Sequence, residues 1–128
     1  MVYRIPNLEK LIKLHNQARH EGGWFSSKIP PLEYNQELSK YAQDWASYMA
    51  STNKLVHSSM SSIIDIGFNR AGENIAYGQI DEEKVMKSWL RSYGHRRNIM
   101  NKSFTEIGCG FDYSLNDIPY WCVCFATK

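Results

Sequence analysis

At 128 residues, with 43% hydrophobic and 22% charged residues, the chain has the size and composition of one domain around one core. That composition excludes a fibre, a repeat array and a disordered segment. A formal charge of +2 and a pI near 8.4 fall short of the basic excess that would by itself indicate a nucleic-acid partner, and the local group Arg91, Arg96, Arg97 and Lys102 reads as solvated surface.

Asn7 caps a first helix in which Leu8, Leu11, Ile12, His15 and Ala18 recur at three- and four-residue steps, ending near the glycines after Glu21. Pro30 and Pro31 bar regular helix from KIPPLEYN. Asn35 then caps a second helix over 36–50, with Leu38, Tyr41, Ala42, Trp45 and Met49 as its apolar stripe. The polar stretch that follows carries a short helix around 61–66 and a strand at 74–77. Asp81, Glu82 and Glu83 open another helix, which buries Val85, Met86, Trp89 and Leu90 and is read as ending at Gly94. One or two further turns over 95–101 lead to closing strands at 105–113 and 119–127. Three to four helices around a small antiparallel sheet make an α+β layered fold, a single domain over 1–128.

No apolar run approaches the length of a membrane span, and MVYRIPNLEK lacks the apolar centre of a signal peptide. An exported domain without its leader would read the same.

The three cysteines, Cys109, Cys122 and Cys124, fit no zinc-ribbon spacing. A two-residue turn at Asn116-Asp117 would set Cys109 opposite Cys124 and Cys122 opposite Phe111. A Cys109–Cys124 disulfide is then geometrically open and would indicate an oxidising compartment; buried free thiols are the alternative.

Four histidines are candidates for chemistry. His15 and His20 stand five apart, about 140° around a helix, so they are not a helical ligand pair. His15 sits on the apolar stripe as a core or boundary residue, and His20 complements the helix dipole. His57 and His95 occur where periodic structure stops, as does Glu73 in AGENIAYG. Two imidazoles and a carboxylate can bind Zn²⁺ with an open position or act as a base and its orienting acid, although nothing local forces the three together. Ser58 and Ser59 adjoin His57 in the chain and so are poor nucleophile candidates. Asn74 and Asn98 read as loop-bonding residues, and Trp24, Trp45, Trp89 and Trp121 as core or cleft wall.

The segments HSSM, AGENIAYG, SWLRSYGHRRNIMNKSFTEIGCGF and YWCVCFA, in this order, closely resemble the CAP superfamily of cysteine-rich secretory, antigen 5 and plant pathogenesis-related proteins, in its compact bacterial form. The likeness runs from KLIKLHNQAR to the end. It implies an α-β-α sandwich with a central cleft lined by two histidines and two acidic residues. His57 matches the first histidine, Glu73 the GEN glutamate and His95 the histidine of GH. Where family members carry a second glutamate, three residues after Trp89, this chain has Ser92. That departure removes a negative charge beside any cation, and a candidate base.

The resemblance implies an exported or cell-surface binding module, a lipid-anchored form included, that takes a sterol, another lipid or a host or partner protein. The alternative is a zinc-assisted hydrolase of peptidase or esterase type, in which His57 and His95 hold Zn²⁺ and Glu73 polarises a water. Ser92 weighs against an enzyme. An architectural role for Glu73 also stays open, because a buried carboxylate needs hydrogen-bond partners wherever it lies.

Overall fold

The computed structural model describes residues 4–22 and 28–128, so Trp24 lies outside the described residues. Helix α1 (Leu8–Glu21) begins where the Asn7 side chain accepts the Lys10 N–H at 3.0 Å and ends at Gly22, whose φ of 75° suits glycine. A short strand β1 (Glu33–Tyr34) precedes α2 (Gln36–Thr52), capped by Asn35, which accepts the Leu38 N–H at 3.0 Å. Then come α3 (Ser61–Asp65), β2 (Arg70–Tyr77) and α4 (Glu82–Arg91), the last capped by Asp81 at 2.8 Å from Lys84 N. Helix α5 (Tyr93–Met100) and the strands β3 (Glu106–Tyr113) and β4 (Pro119–Thr127) complete the chain.

The expected α+β sandwich is present. A fifth helix and the parallel edge strand β1 add to it, in the sheet order β1-β3-β4-β2. Central β4 is buried on both faces, and alternate residues feed two cores. Trp121, Val123 and Phe125 meet Leu11 of α1, Val85 and Trp89 of α4 and Ile99 of α5. Tyr120, Cys122, Cys124 and Ala126 meet Leu38, Ala42 and Met49 of α2. The α2 side is the tighter, because Gly108 and Gly110 bring β3 against the backbone of α2 at Leu38–Ser39 and Gln43. Any side chain at either position would run into that backbone.

Two sequence expectations are corrected. The β3–β4 loop consists of Leu115, Asn116 and Asp117, with Asp117 at φ 63°, so it is one residue longer than expected. Cys109 therefore faces Val123, while Cys122 and Cys124 face Gly110 and Gly108. The shift puts Cys109 on the α1 side of the sheet and the other two on the α2 side, so the Cys109–Cys124 bridge does not form and all three are free, buried thiols. Secondly, α4 ends at Arg91 and the chain bends at Ser92, φ −100° and ψ 124°; Gly94 lies inside α5.

Two polar groups sit in the α1 core. The Arg19 guanidinium, wholly buried, donates to four carbonyl oxygens: Pro30 at 2.8 Å, Ile99 and Asn101 at 2.9 Å, and Phe104 at 3.0 Å. Burial lowers its pKa to about 10, which leaves it charged at neutral pH. His15 lies between Trp89 and Phe125, at ring-centroid distances of 6.0 and 5.7 Å, and its Nδ1–H donates to Leu11 O at 2.8 Å. Its Nε2 has no hydrogen-bond partner among the described residues. Burial pushes its pKa down to about 4.

Replacing Arg19 by Met removes four hydrogen bonds to carbonyl oxygens at once, and is expected to cost about 3 kcal/mol or more in urea denaturation. Arg19→Lys should recover little of it, since an ammonium lacks the fork that reaches all four. The unfolded chain takes up a proton at His15 near pH 6.5 and the folded chain only near 4. The contribution of His15 is therefore fully present above pH 6.5 and is lost as pH falls towards 4, a decline of about 3 kcal/mol in unfolding free energy. His15→Met should flatten that interval of the stability profile.

Candidate functional site

Glu73 is the fixed point of the site. In β2 it lies opposite Cys124, so its side chain shares the α2 face of the sheet, and it is 3% exposed. Past α2, Asn53 at φ 54° ends the helix and the chain returns over this carboxylate. Oε1 accepts the Ser58 N–H at 3.0 Å and the His57 Nδ1–H at 2.8 Å; Oε2 accepts the Ser58 hydroxyl at 2.5 Å. Ser58 Oγ in turn accepts from the Tyr41 hydroxyl at 2.8 Å, and Tyr41 accepts the Met60 N–H at 3.1 Å. Trp45 Nε1 pins the same loop by donating to Val56 O at 2.8 Å.

The opposite wall comes from α5. His95 Nδ1 and Ser92 Oγ share a hydrogen bond of 2.8 Å, one turn apart. Asn74 donates to His95 O at 3.0 Å, and Asn98 donates to Asn74 Oδ1 at 2.9 Å and to Glu73 O at 3.3 Å, so α5 is laced to β2. Desolvation, and secondarily the nearby His57, lower the pKa of His95.

His57, Glu73 and His95 thus converge on one open cleft of about 450 Å³, whose wall also includes Gly72, Ser92 and Gly94. Their separation along the chain conceals this arrangement, and only the family resemblance points to it. In both imidazoles Nδ1 is engaged, leaving Nε2 as the ring atom available to a ligand; His57, with a carboxylate on Nδ1, has the orientation of a metal-binding histidine. A catalytic zinc takes three protein ligands and keeps a fourth position open. The cleft offers two imidazoles, Ser92 in place of the second acid, and a Glu73 whose cleft-side oxygen, Oε1, is already taken by His57 and the Ser58 N–H. That donor set does not fit a catalytic zinc.

Sequence reading misses the Met60–Tyr41–Ser58 relay. Tyr41 reads as one more residue of an apolar helix stripe, and no local signal shows that its hydroxyl reaches a loop. The Ser92–His95 bond has a visible cue, a three-residue spacing at the start of a helix.

A second hollow, of about 490 Å³, runs between α1 and the β1–β3 edge. It is lined by Leu8, Ile12, Tyr34 and Cys109, with Glu9, Lys13 and Ser39 also in its wall.

A mixed sheet between α1, α4 and α5 on one side and α2 and α3 on the other, with a cleft built on two histidines and a GEN glutamate, defines a class of α-β-α sandwich proteins. The model of the cysteine-rich secretory protein family, CAP, matches residues 12–125, and the chain belongs to that family. It is 37% identical over 111 residues to YkwD of Bacillus subtilis, covering 80% of this chain and 41% of that protein. The chain likewise spans 34% of a second B. subtilis relative, the membrane protein YlbC, and so less than half of either. An outer surface protein of Borrelia burgdorferi shares the fold with a TM-score of 0.83 at 22% identity, over 94% of this chain and 92% of that one. An extracellular protein of Bacillus anthracis containing an SCP domain aligns with a TM-score of 0.74 at 27% identity, over 94% of this chain and 40% of its own.

Glu73→Gln replaces an acceptor of three N–H and O–H hydrogen bonds by a group that must also donate, and Ser58→Ala removes the hydroxyl's bond to Oε2 together with the acceptor of the Tyr41 hydroxyl, leaving the Ser58 N–H in place. Each is expected to lower stability by about 1–3 kcal/mol, and the double variant by less than the sum, in a urea-denaturation cycle. Amide exchange at Ser58 and Met60 should accelerate in both single variants.

Proposed function

We propose that the chain is a non-enzymatic binding module, exported or displayed at the cell surface, and that its ligand is a lipid with an acyl chain or comparable apolar body. The observation that carries the reading is the groove on α1. Leu8, Ile12 and Tyr34 line a hollow of about 490 Å³, within the size range of small-molecule sites and predominantly apolar. Lys13, 77% exposed and paired at 3.8 Å with Glu9 of the same wall, is the cation there that a carboxylate or phosphate head group would meet in exchange for Glu9. The polar cleft of His57 and His95 is less suited to an apolar ligand, so the lipid is assigned to the groove.

Export is supported by the nature of the structural neighbours, among them an outer surface protein and an extracellular protein. Among the described residues no helix is long and apolar enough to cross a membrane. Catalysis is disfavoured by the occupied Glu73 carboxylate and by Ser92.

The test is a titration of the purified chain with a fluorescent fatty acid. Saturable binding is expected, at least tenfold weaker in Ile12→Trp, which fills the groove, and unchanged in His57→Ala. A titration that stays flat, or that responds to His57 and not to Ile12, would overturn the assignment. Zinc calorimetry addresses the hydrolase alternative separately. Ser92→Glu, which supplies the absent acid, should bind Zn²⁺ roughly tenfold or more tighter than the natural chain.

A further inference from the structure

Beneath the cleft lies a cluster that the binding reading does not use. Cys122 and Cys124, two apart on β4, point to the same face, and the β2–β4 register sets Glu73 directly opposite Cys124. The two Sγ atoms are 3.9 Å apart, and Cys122 Sγ is 3.9 Å from Glu73 Oε2. One ligand atom from each of the three residues falls within 4.8 Å of the others, and all three side chains are buried. Around a tetrahedral zinc ion, with sulfur at about 2.3 Å and oxygen at about 2.0 Å, neighbouring ligand atoms stand about 3.5–3.8 Å apart. The cluster is within a few tenths of an ångström of that spacing along both measured edges.

We propose that Cys122, Cys124 and Glu73 form a buried binding site for a thiophilic divalent cation of the zinc class, beneath the histidine cleft and sharing only Glu73 with it. Soft sulfur donors select such ions over magnesium or calcium. Binding releases the two thiol protons to solvent, forms two metal–sulfur bonds, and places the cation where the Cys122 S–H now points at Oε2. Two thiolates and one carboxylate around a divalent ion leave one net negative charge; around a monovalent copper ion they would leave two, a heavier burden in a buried site. The carboxylate is already oriented for the task. Ser58 N–H and His57 hold Oε1, and the Ser58 hydroxyl fixes Oε2, the outer-layer bonding that metal ligands need. Ser58 Oγ, bonded to the same oxygen, is the adjacent neutral donor. Cys109 takes no part, since it lies on the other face of the sheet. All three ligand side chains are buried, so an ion enters most readily as the chain folds around it.

The test refolds the reduced full chain with Co²⁺ as probe. A near-ultraviolet thiolate-to-cobalt charge-transfer band and tetrahedral visible bands are expected, saturating at one ion per chain. Cys122→Ser and Cys124→Ser should each lose the charge-transfer intensity by about tenfold or more at equal Co²⁺, whereas Cys109→Ser and His95→Ala should keep it. X-ray absorption on zinc-refolded natural chain should place sulfur at about 2.3 Å from the metal, a readout that stands even if a cysteine variant fails to fold. A metal environment of nitrogen and oxygen alone, the absence of any charge-transfer band, or a band that disappears with His95 would overturn the proposal. None of these outcomes depends on whether the α1 groove binds lipid.

Discussion

A carboxylate carried into a protein interior must be met by donors, and that requirement at Glu73 shapes the functional end of this molecule. The side chain enters on an inward-facing strand position, so its partners have to come from elsewhere in the chain. The loop after α2 supplies them. Ser58 contributes both a backbone and a side-chain donor, and His57 contributes a ring N–H. Holding the loop there sets the position of the His57 ring, and the Tyr41 hydroxyl ties the same point back to α2. The cleft is thus a by-product of satisfying one buried acid, with the second histidine brought opposite through the Asn74–Asn98 lacing of α5.

The other end of the molecule solves a similar problem with the opposite charge. Segments that leave α1, α5 and the approach to β3 carry carbonyl groups into the core without a regular ladder to receive them, and Arg19 gathers four of them on one planar fork. Among the described residues it meets no carboxylate. Carbonyl dipoles replace one, which keeps an anion out of the core while using four of the five N–H donors. Between these two polar anchors the sheet is apolar on both faces, and α2 seats closely on β3 because Gly108 and Gly110 leave room for its backbone.

Much of this is legible in the sequence. The caps at Asn7, Asn35 and Asp81 and the apolar periods behind them announce three of the helices, because capping and periodicity are local physics. The strand β1 escapes notice: two exposed residues, Glu33 and Tyr34, carry no alternation to read. The hairpin register escapes for a sharper reason. It depends on whether Asp117 adopts a positive φ, and one residue more in the loop exchanges the two faces of the sheet, which moves Cys109 away from Cys124. A glycine attracts the helix end to Gly94, whereas the bend falls at Ser92 and Gly94 has an ordinary helical setting, lining the cleft with open space beside it. Convergence of His57, Glu73 and His95 is not contained in any spacing; separated motifs in family order carry it.

The cleft and the buried thiols meet at a single functional group, and its two oxygens divide the work. Oε1 turns towards His57 and the loop, so whatever occupies the cleft acts on that side. Oε2 turns towards Ser58 and Cys122, so an ion among the thiols acts on the other. A carboxylate oxygen has room for more than one partner, and the Ser58 hydroxyl can remain on Oε2 while an ion takes the place of the Cys122 proton. Occupation of the interior site therefore need not dismantle the loop that forms the cleft. It would instead draw electron density from the same carboxylate that orients His57, which makes the ring a weaker ligand. An ion beneath the sheet surface and an ion in the cleft would compete for one negative charge, and in a chain with Ser92 in place of a second acid the buried cysteines, once deprotonated, would hold the stronger claim.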